Sequence, residues 1–95
     1  MIIQLVKLKT QLNEEELLRR AKEREPQFRA IPGLLQKYYV RLDQAGLYGG
    51  LYLWDSAESL QAFRESELAA SIPAAYEVDE PPTVEVMDML FQLRN

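Results

Sequence analysis

Apolar and polar residues fall into alternating strand-like and helix-like periods along this chain. Residues 2–9 (IIQLVKLK) place Ile3 and Leu5 on one side of a period-two pattern and Ile2, Val6 and Leu8 on the other, which predicts a strand. A helical stripe follows, with Leu17, Leu18, Ala21 and Phe28 as its buried positions. Asn13 is its predicted N-cap, Glu16 completes a capping box, and Glu14, Glu15 and Glu16 lie where the helix dipole favours negative charge. Pro26 predicts an end or kink near Glu25. After the turn signal Ile31-Pro32-Gly33, residues 34–42 read as a second strand, with Leu35, Lys37, Tyr39 and Arg41 on one face and Leu34, Gln36, Tyr38, Val40 and Leu42 on the other. The polar turn DQAG leads into a third strand, so the two form a hairpin. Asp55 is the predicted cap of a second helix, with Glu58 completing its box and Ala57, Leu60 and Phe63 inward. One helical turn is predicted around Glu67 to Ser71, interrupted at Pro73, then a loop through Pro81 and Pro82. The last strand reads from Thr83 to Leu93, with Met87, Met89, Phe91 and Leu93 on one face and Val84, Val86 and Leu90 on the other, Asp88 between them.

The order β-α-β-β-α-β, short loops and right-handed crossovers predict an α+β, ferredoxin-like protomer: an antiparallel sheet with its helices on one face. The 95 residues fit one domain spanning 1–95. Helices cover only one face of such a sheet, yet the first, third and fourth strands are apolar on both. Antiparallel sheets with one wet face alternate more cleanly. A second copy covering the open face is the simplest solution, so a homodimer with sheets face to face is expected.

Composition narrows the chemistry. The chain has neither cysteine nor histidine, which removes thiolate nucleophiles, zinc–thiolate sites and the usual general base and haem ligand. Serine–histidine and cysteine–histidine constellations are excluded. Catalysis must draw on Tyr, Asp, Glu, Lys, Arg or Trp, or on oriented binding. A net charge of −4 with dispersed basic residues argues against a nucleic-acid partner. No apolar run is long enough to span a bilayer, and the N-terminus does not read as a signal peptide, so no membrane partner and a cytoplasmic location are expected.

The third strand, LYGGLYLW, carries Tyr48, Gly50, Tyr52 and Trp54 on one face and Leu47, Gly49, Leu51 and Leu53 on the other. An RNA-recognition module shares the element order and puts stacking aromatics on its first and third strands. Here the first strand has no aromatic residue and no basic residue precedes the aromatic run. The aromatics therefore read as core or interface, or as the wall of a pocket. Gly50 removes a side chain between two tyrosines on the aromatic face. That leaves either ligand space or a β-bulge with close backbone approach.

PGLLQKYYVR, YGGLYLWDSAESLQAF and IPAAYEV together resemble a branch, named for mono-oxygenases, of the dimeric α/β-barrel superfamily that includes the antibiotic-biosynthesis monooxygenases. The resemblance covers about two thirds of the chain, from Pro32 to the last strand. It implies a dimeric α/β barrel with a pocket between the sheet and helices of each subunit, and oxygen chemistry on a small aromatic or polyketide-like substrate without metal or flavin. Trp54 matches a pocket tryptophan of the characterised enzymes, whereas Gly50 stands where they often carry asparagine. Haem degradation, which needs a histidine ligand in related proteins, is not expected. On this reading Trp54, Lys37 and Asp88 are the candidate catalytic residues, and Tyr39, Tyr48, Gly50, Tyr52, Phe63 and Tyr76 line the substrate. Lys37, Tyr39 or Arg41 would stabilise a substrate anion, although Lys and Arg on an edge strand also protect against aggregation. Asp88 would be the acid–base group of an isomerase or cyclase acting on a small lactone. A dimer that binds a small molecule without turnover is the third reading.

Overall fold

The computed structural model describes residues 1–94. Four strands, β1 (Ile2–Lys9), β2 (Leu34–Arg41), β3 (Leu47–Trp54) and β4 (Thr83–Asp88), form one antiparallel sheet in the order β2-β3-β1-β4. This is the ferredoxin-like arrangement, and β2 lies at an edge of the sheet.

Asn13 caps α1 (Glu14–Glu23), its Oδ1 accepting from the Glu16 amide at 2.8 Å. The box is not reciprocal, because the Glu16 carboxylate turns to Arg19 and Arg20 instead. Pro26 ends α1 and opens a second short helix, α2 (Glu25–Arg29), with Arg24 at the junction. Ser56, not Asp55, caps α3 (Ala57–Arg64): its Oγ accepts from the Ser59 amide, while the Asp55 carboxylate accepts from the Ser56 hydroxyl. Glu58 and Ala57 are exposed rather than engaged. The irregular stretch forms two four-residue helices, α4 (Glu67–Ala70) and α5 (Ile72–Ala75), and Pro73 begins the second rather than only interrupting the first.

Three departures from the sequence pattern shape the molecule. A register shift between Leu34 and Gln36 inserts Leu35 as an extra residue, which moves Leu34 to the helix side opposite Trp54 and leaves Lys37, Tyr39 and Arg41 on that same side. Strand β4 ends at Asp88, because Asp88 pairs with Ile2 at the start of β1 and no partner strand remains beyond it. Beyond it the Met89 amide bonds to the Met1 carbonyl at 3.0 Å. Leu18 is not buried in the stripe but 40% exposed.

The core lies between the sheet and the helices. Val6, Leu8, Tyr52 and Trp54 from the strands meet Leu17, Ala21, Phe28, Leu60, Phe63, Ile72 and Tyr76. Gly33 shows how tightly this layer closes: it adopts a positive φ, and a Cβ there would lie 2.1 Å from Ser59 Oγ, so only glycine fits the turn under α3. The other face of the sheet presents Ile3, Leu5, Leu51, Leu53, Tyr38 and Met87, and no helix covers it.

Candidate active site

The register builds the site. On the helix face, Val6 of β1 lies opposite Gly50 of β3, which lies opposite Tyr39 of β2; one step along, Gln4, Tyr52 and Lys37 form the next row. Gly50 leaves its place in this surface empty, and the Lys37 stem and the Tyr52 ring lean across it. A Cβ at Gly50 would sit 3.1 Å from Lys37 Cε and 3.0 Å from Tyr52 Cε1. Beside this gap a cavity of about 250 Å³ opens between sheet and helices. Its apolar walls are Val6, Leu8, Leu17, Leu18, Ala21 and Ile72. Tyr39, Tyr48, Tyr52, Tyr76 and Lys37 are its lining residues with polar side-chain groups, apart from the ion pair below. Glu14 and Arg41 border the cavity as well, joined by two bonds of 2.6 and 2.7 Å that tie β2 to the first turn of α1.

Lys37 is the unusual group. Its Nζ lies 3.7 Å from the ring centre of Phe28, 4.4 Å from Tyr39 and 4.6 Å from Tyr52. Among the described residues no carboxylate pairs with it. Two effects oppose. Aromatic faces favour the ammonium by about 0.5–2 kcal/mol each. Burial, and secondarily the Arg24 guanidinium, favour the neutral amine and push Lys37 down to about 7. Desolvation wins because no anion or fixed acceptor repays the lost water.

Arg24 is the second cation without a carboxylate among the described residues. Its Nη2 donates to Ser71 Oγ at 2.9 Å, and its guanidinium sits between the Phe28 and Tyr76 rings at 5.7 and 5.8 Å. Its Nε is buried with no hydrogen-bond partner. Burial pushes Tyr39 up to about 12 and raises Tyr52 and Tyr76 as well, so all three remain hydroxyl donors at neutral pH.

Six of the nine residues singled out in the sequence line the cavity: Lys37, Tyr39, Tyr48, Gly50, Tyr52 and Tyr76. Trp54 and Phe63 do not reach the cavity; they stand behind it. Trp54 is fully buried, its ring parallel to Tyr52 within 3° at 5.9 Å, and Phe63 packs on both at 5.5 and 5.3 Å. Trp54 Nε1 donates to Gln4 Oε1 at 2.9 Å. Asp88 is exposed at the end of β4 and is not brought to the cavity.

Gln4 and Arg24 had escaped the sequence reading. A polar residue inside the apolar run of β1 was the available signal for the first. The break at Pro26, which sets Arg24 at a helix junction, was the signal for the second.

No family model matches the sequence, and no curated protein matches it. Solved structures do. The chain superimposes on a putative antibiotic biosynthesis monooxygenase from Bordetella bronchiseptica with a TM-score of 0.77 at 18% identity, over 95% of this chain and 97% of that one. SnoaB, a cofactor-independent oxygenase from Streptomyces nogalater, gives 0.76 at 10% identity over 99% and 97%. A putative antibiotic biosynthesis monooxygenase from Deinococcus radiodurans gives 0.74 at 15% identity over 100% and 98%. At these identities the likeness is one of fold: the chain has the fold of the solved proteins named for antibiotic biosynthesis monooxygenases.

Proposed function

We propose that the protein is a cofactor-independent monooxygenase acting on a small electron-rich aromatic or polyketide-like compound. The observation that carries this reading is the caged Lys37 amine beside an apolar cavity. An unprotonated amine in a dry site is a base, and acidic phenols, quinols and anthrones are the substrates that such a base converts to anions. Lys37 Nζ takes the proton and then, as ammonium, pairs with the anion it has made. The anion passes an electron to O₂, and the radical pair combines at carbon. The substrate gives up two hydrogens; one oxygen atom stays with it and the other leaves as water, so no further reductant is needed. Neutral Tyr39, Tyr52 and Tyr76 donate hydrogen bonds to the developing oxyanion. Trp54 acts through Tyr52, fixing its ring with the help of Gln4 and Phe63. A volume of about 250 Å³ is at the small end for a ligand pocket and favours one or two rings.

The test is oxygen uptake against a panel of anthrones, quinols and polyphenols, wild type beside Lys37→Met. Uptake that never exceeds the uncatalysed rate for any member would sink the reading.

A homodimer belongs to the same proposal. The uncovered sheet face is apolar, Tyr38 and Met87 on it are 55% and 44% exposed, and the segment after β4 exposes Leu90, Phe91 and Leu93. A second copy laid on that face would remove this surface from water. Light scattering at micromolar concentration is expected to give twice the 11.0 kDa chain mass; a clean monomer refutes it.

A further inference from the structure

The same amine has a second reactivity that does not depend on oxygen. A base needs only a proton to receive, whereas a nucleophile needs a lone pair, a fixed approach and a donor for the leaving oxygen. The site has all three. Among the described residues Lys37 Nζ engages no hydrogen-bond acceptor, so nothing in the fold occupies it. The Phe28, Tyr39 and Tyr52 rings hold it at the cavity. Tyr39, Tyr52 and Tyr76 line the same cavity as Lys37, and each carries a hydroxyl able to donate.

We propose that Lys37 captures carbonyl compounds: its Nζ condenses with one carbonyl carbon of a small apolar 1,3-dicarbonyl compound, while a tyrosine hydroxyl holds the other carbonyl oxygen. The C–N bond forms as the carbonyl π pair moves to oxygen, which takes up a proton. The resulting carbinolamine loses that oxygen as water, a tyrosine hydroxyl giving its proton to the departing hydroxide, and the tyrosinate so formed takes back the proton from the carbon between the two carbonyls, which leaves a conjugated enaminone and a neutral tyrosine. No oxidant or reductant enters. The 1,3-dicarbonyl class follows from the site: one amine, hydroxyl donors beside it, apolar walls elsewhere and no base of its own among the cavity carboxylates, since Glu14 is held by Arg41.

Arg24 is the positioning residue. It is locked by Ser71, Phe28 and Tyr76, and its charge disfavours a second cation at Lys37. The other charged or titratable groups around the amine are Tyr39 on β2, Tyr52 on β3, Tyr76 after α5, and Glu25 and Arg29 on α2; Glu25 and Arg29 line an adjoining cleft and pair with each other at 3.5 Å. None of these supplies Lys37 with a counter-ion.

The experiment uses the whole chain, benzoylacetone as the probe and an argon atmosphere. The expected result is a mass gain of one diketone less one water, mapped to Lys37, with a new near-ultraviolet enaminone band. Its rate should exceed that of the exposed Lys9 and Lys22 by up to about a thousandfold at neutral pH, from the larger unprotonated fraction of the amine. Lys37→Met should abolish the band. Arg24→Met should move the midpoint of the pH–rate profile upward, and Arg24→Lys should restore it in part. Circular dichroism establishes that each variant is folded, and benzoylacetone quenching of Tyr fluorescence in Lys37→Met establishes that the cavity still fills. Label spread evenly over Lys7, Lys9, Lys22 and Lys37, or an Arg24→Met profile that does not move, overturns the proposal. The capture shares the cavity with the oxygenase reading but not its chemistry: enaminone without oxygen uptake removes that reading alone, and uptake without enaminone removes this one.

Discussion

Replacing Lys37 by Met gives a stability change whose pH dependence follows from the site. Below about pH 7 the folded and unfolded chains both hold the Lys37 proton, and stability does not vary with pH on its account. Between about 7 and the ordinary 10.5 the unfolded chain still holds it and the folded chain does not. Raising the pH favours the state that binds fewer protons, so wild-type stability rises through this window. The ceiling is about 1.4 kcal/mol per pH unit. Between pH 7 and 9.5 that amounts to roughly 3 kcal/mol, which the half-buried position and the ring faces reduce to about 1–2 kcal/mol. The upper limit of the window is set by Tyr39, Tyr52 and Tyr76: burial raises all three, so their contribution is lost as pH climbs past the ordinary tyrosine value near 10. Urea unfolding at fixed protein concentration, at pH 6, 7, 8 and 9, measures the effect. The wild-type midpoint should climb relative to Lys37→Met, and the variant should be the more stable protein at pH 6, where the wild type carries a buried ammonium. Midpoints that run parallel across the series would refute the claim that the folded chain holds Lys37 as a free amine.

Three further predictions rest on single contacts. Gly50→Val should lower affinity for a cavity ligand at least about tenfold by titration calorimetry, with cooperative unfolding retained, because the new side chain enters the space now crossed by Lys37 and Tyr52; unchanged affinity would separate Gly50 from the cavity. Gly33→Ala should cost about 2–3 kcal/mol in urea unfolding, since it combines a positive φ with a Cβ 2.6 Å from Asp55 Oδ1 and closer still to Ser59. Gln4→Leu leaves the buried Trp54 N–H without an acceptor, so it should cost about 1–3 kcal/mol and alter the tryptophan near-ultraviolet dichroism; a silent spectrum would mean that the bond does not orient the indole.

Local signals carried the sequence reading of the fold a long way. Strand β1, the Asn13 cap, the break at Pro26 and the hairpin of β2 and β3 depend on residues within a few positions of one another. The misses are the features that depend on a distant partner. The alternation of residues 83–93 continues past Asp88, but whether it pairs depends on where β1 begins. The slip at Leu35 is decided by β3, so the face assigned to Leu34 reversed while that of Lys37 did not. Alternation also says which face a side chain joins and not how deep it lies. Trp54 and Tyr52 share a face, yet the helices close over Trp54 and leave space beside Tyr52 and Gly50. Gln4 and Arg24 find their partners 50 and 47 residues away, beyond any local pattern.

A lysine on an edge strand ordinarily points to solvent and discourages pairing with another chain. Lys37 sits on such a strand and does otherwise, and three features together explain why. Register sets its side: Lys37 pairs opposite Tyr52, which faces the helices, and the slip at Leu35 leaves that pairing in place. The missing side chain at Gly50 opens the path for its stem. The acids that might have held its charge are engaged elsewhere: Glu14 by Arg41, Glu16 by Arg19 and Arg20, Glu25 by Arg29 and Glu77 by Arg20. Acids outnumber bases in this chain by fifteen to eleven, so the lack of a carboxylate at Lys37 and Arg24 does not come from a shortage. A fold that neutralised its charges indiscriminately would have paired Lys37 as well, because desolvation is what disfavours its charge and a counter-ion would offset it. On the proposed function, the partner that fits this amine is one that gives Lys37 a proton or a carbonyl carbon.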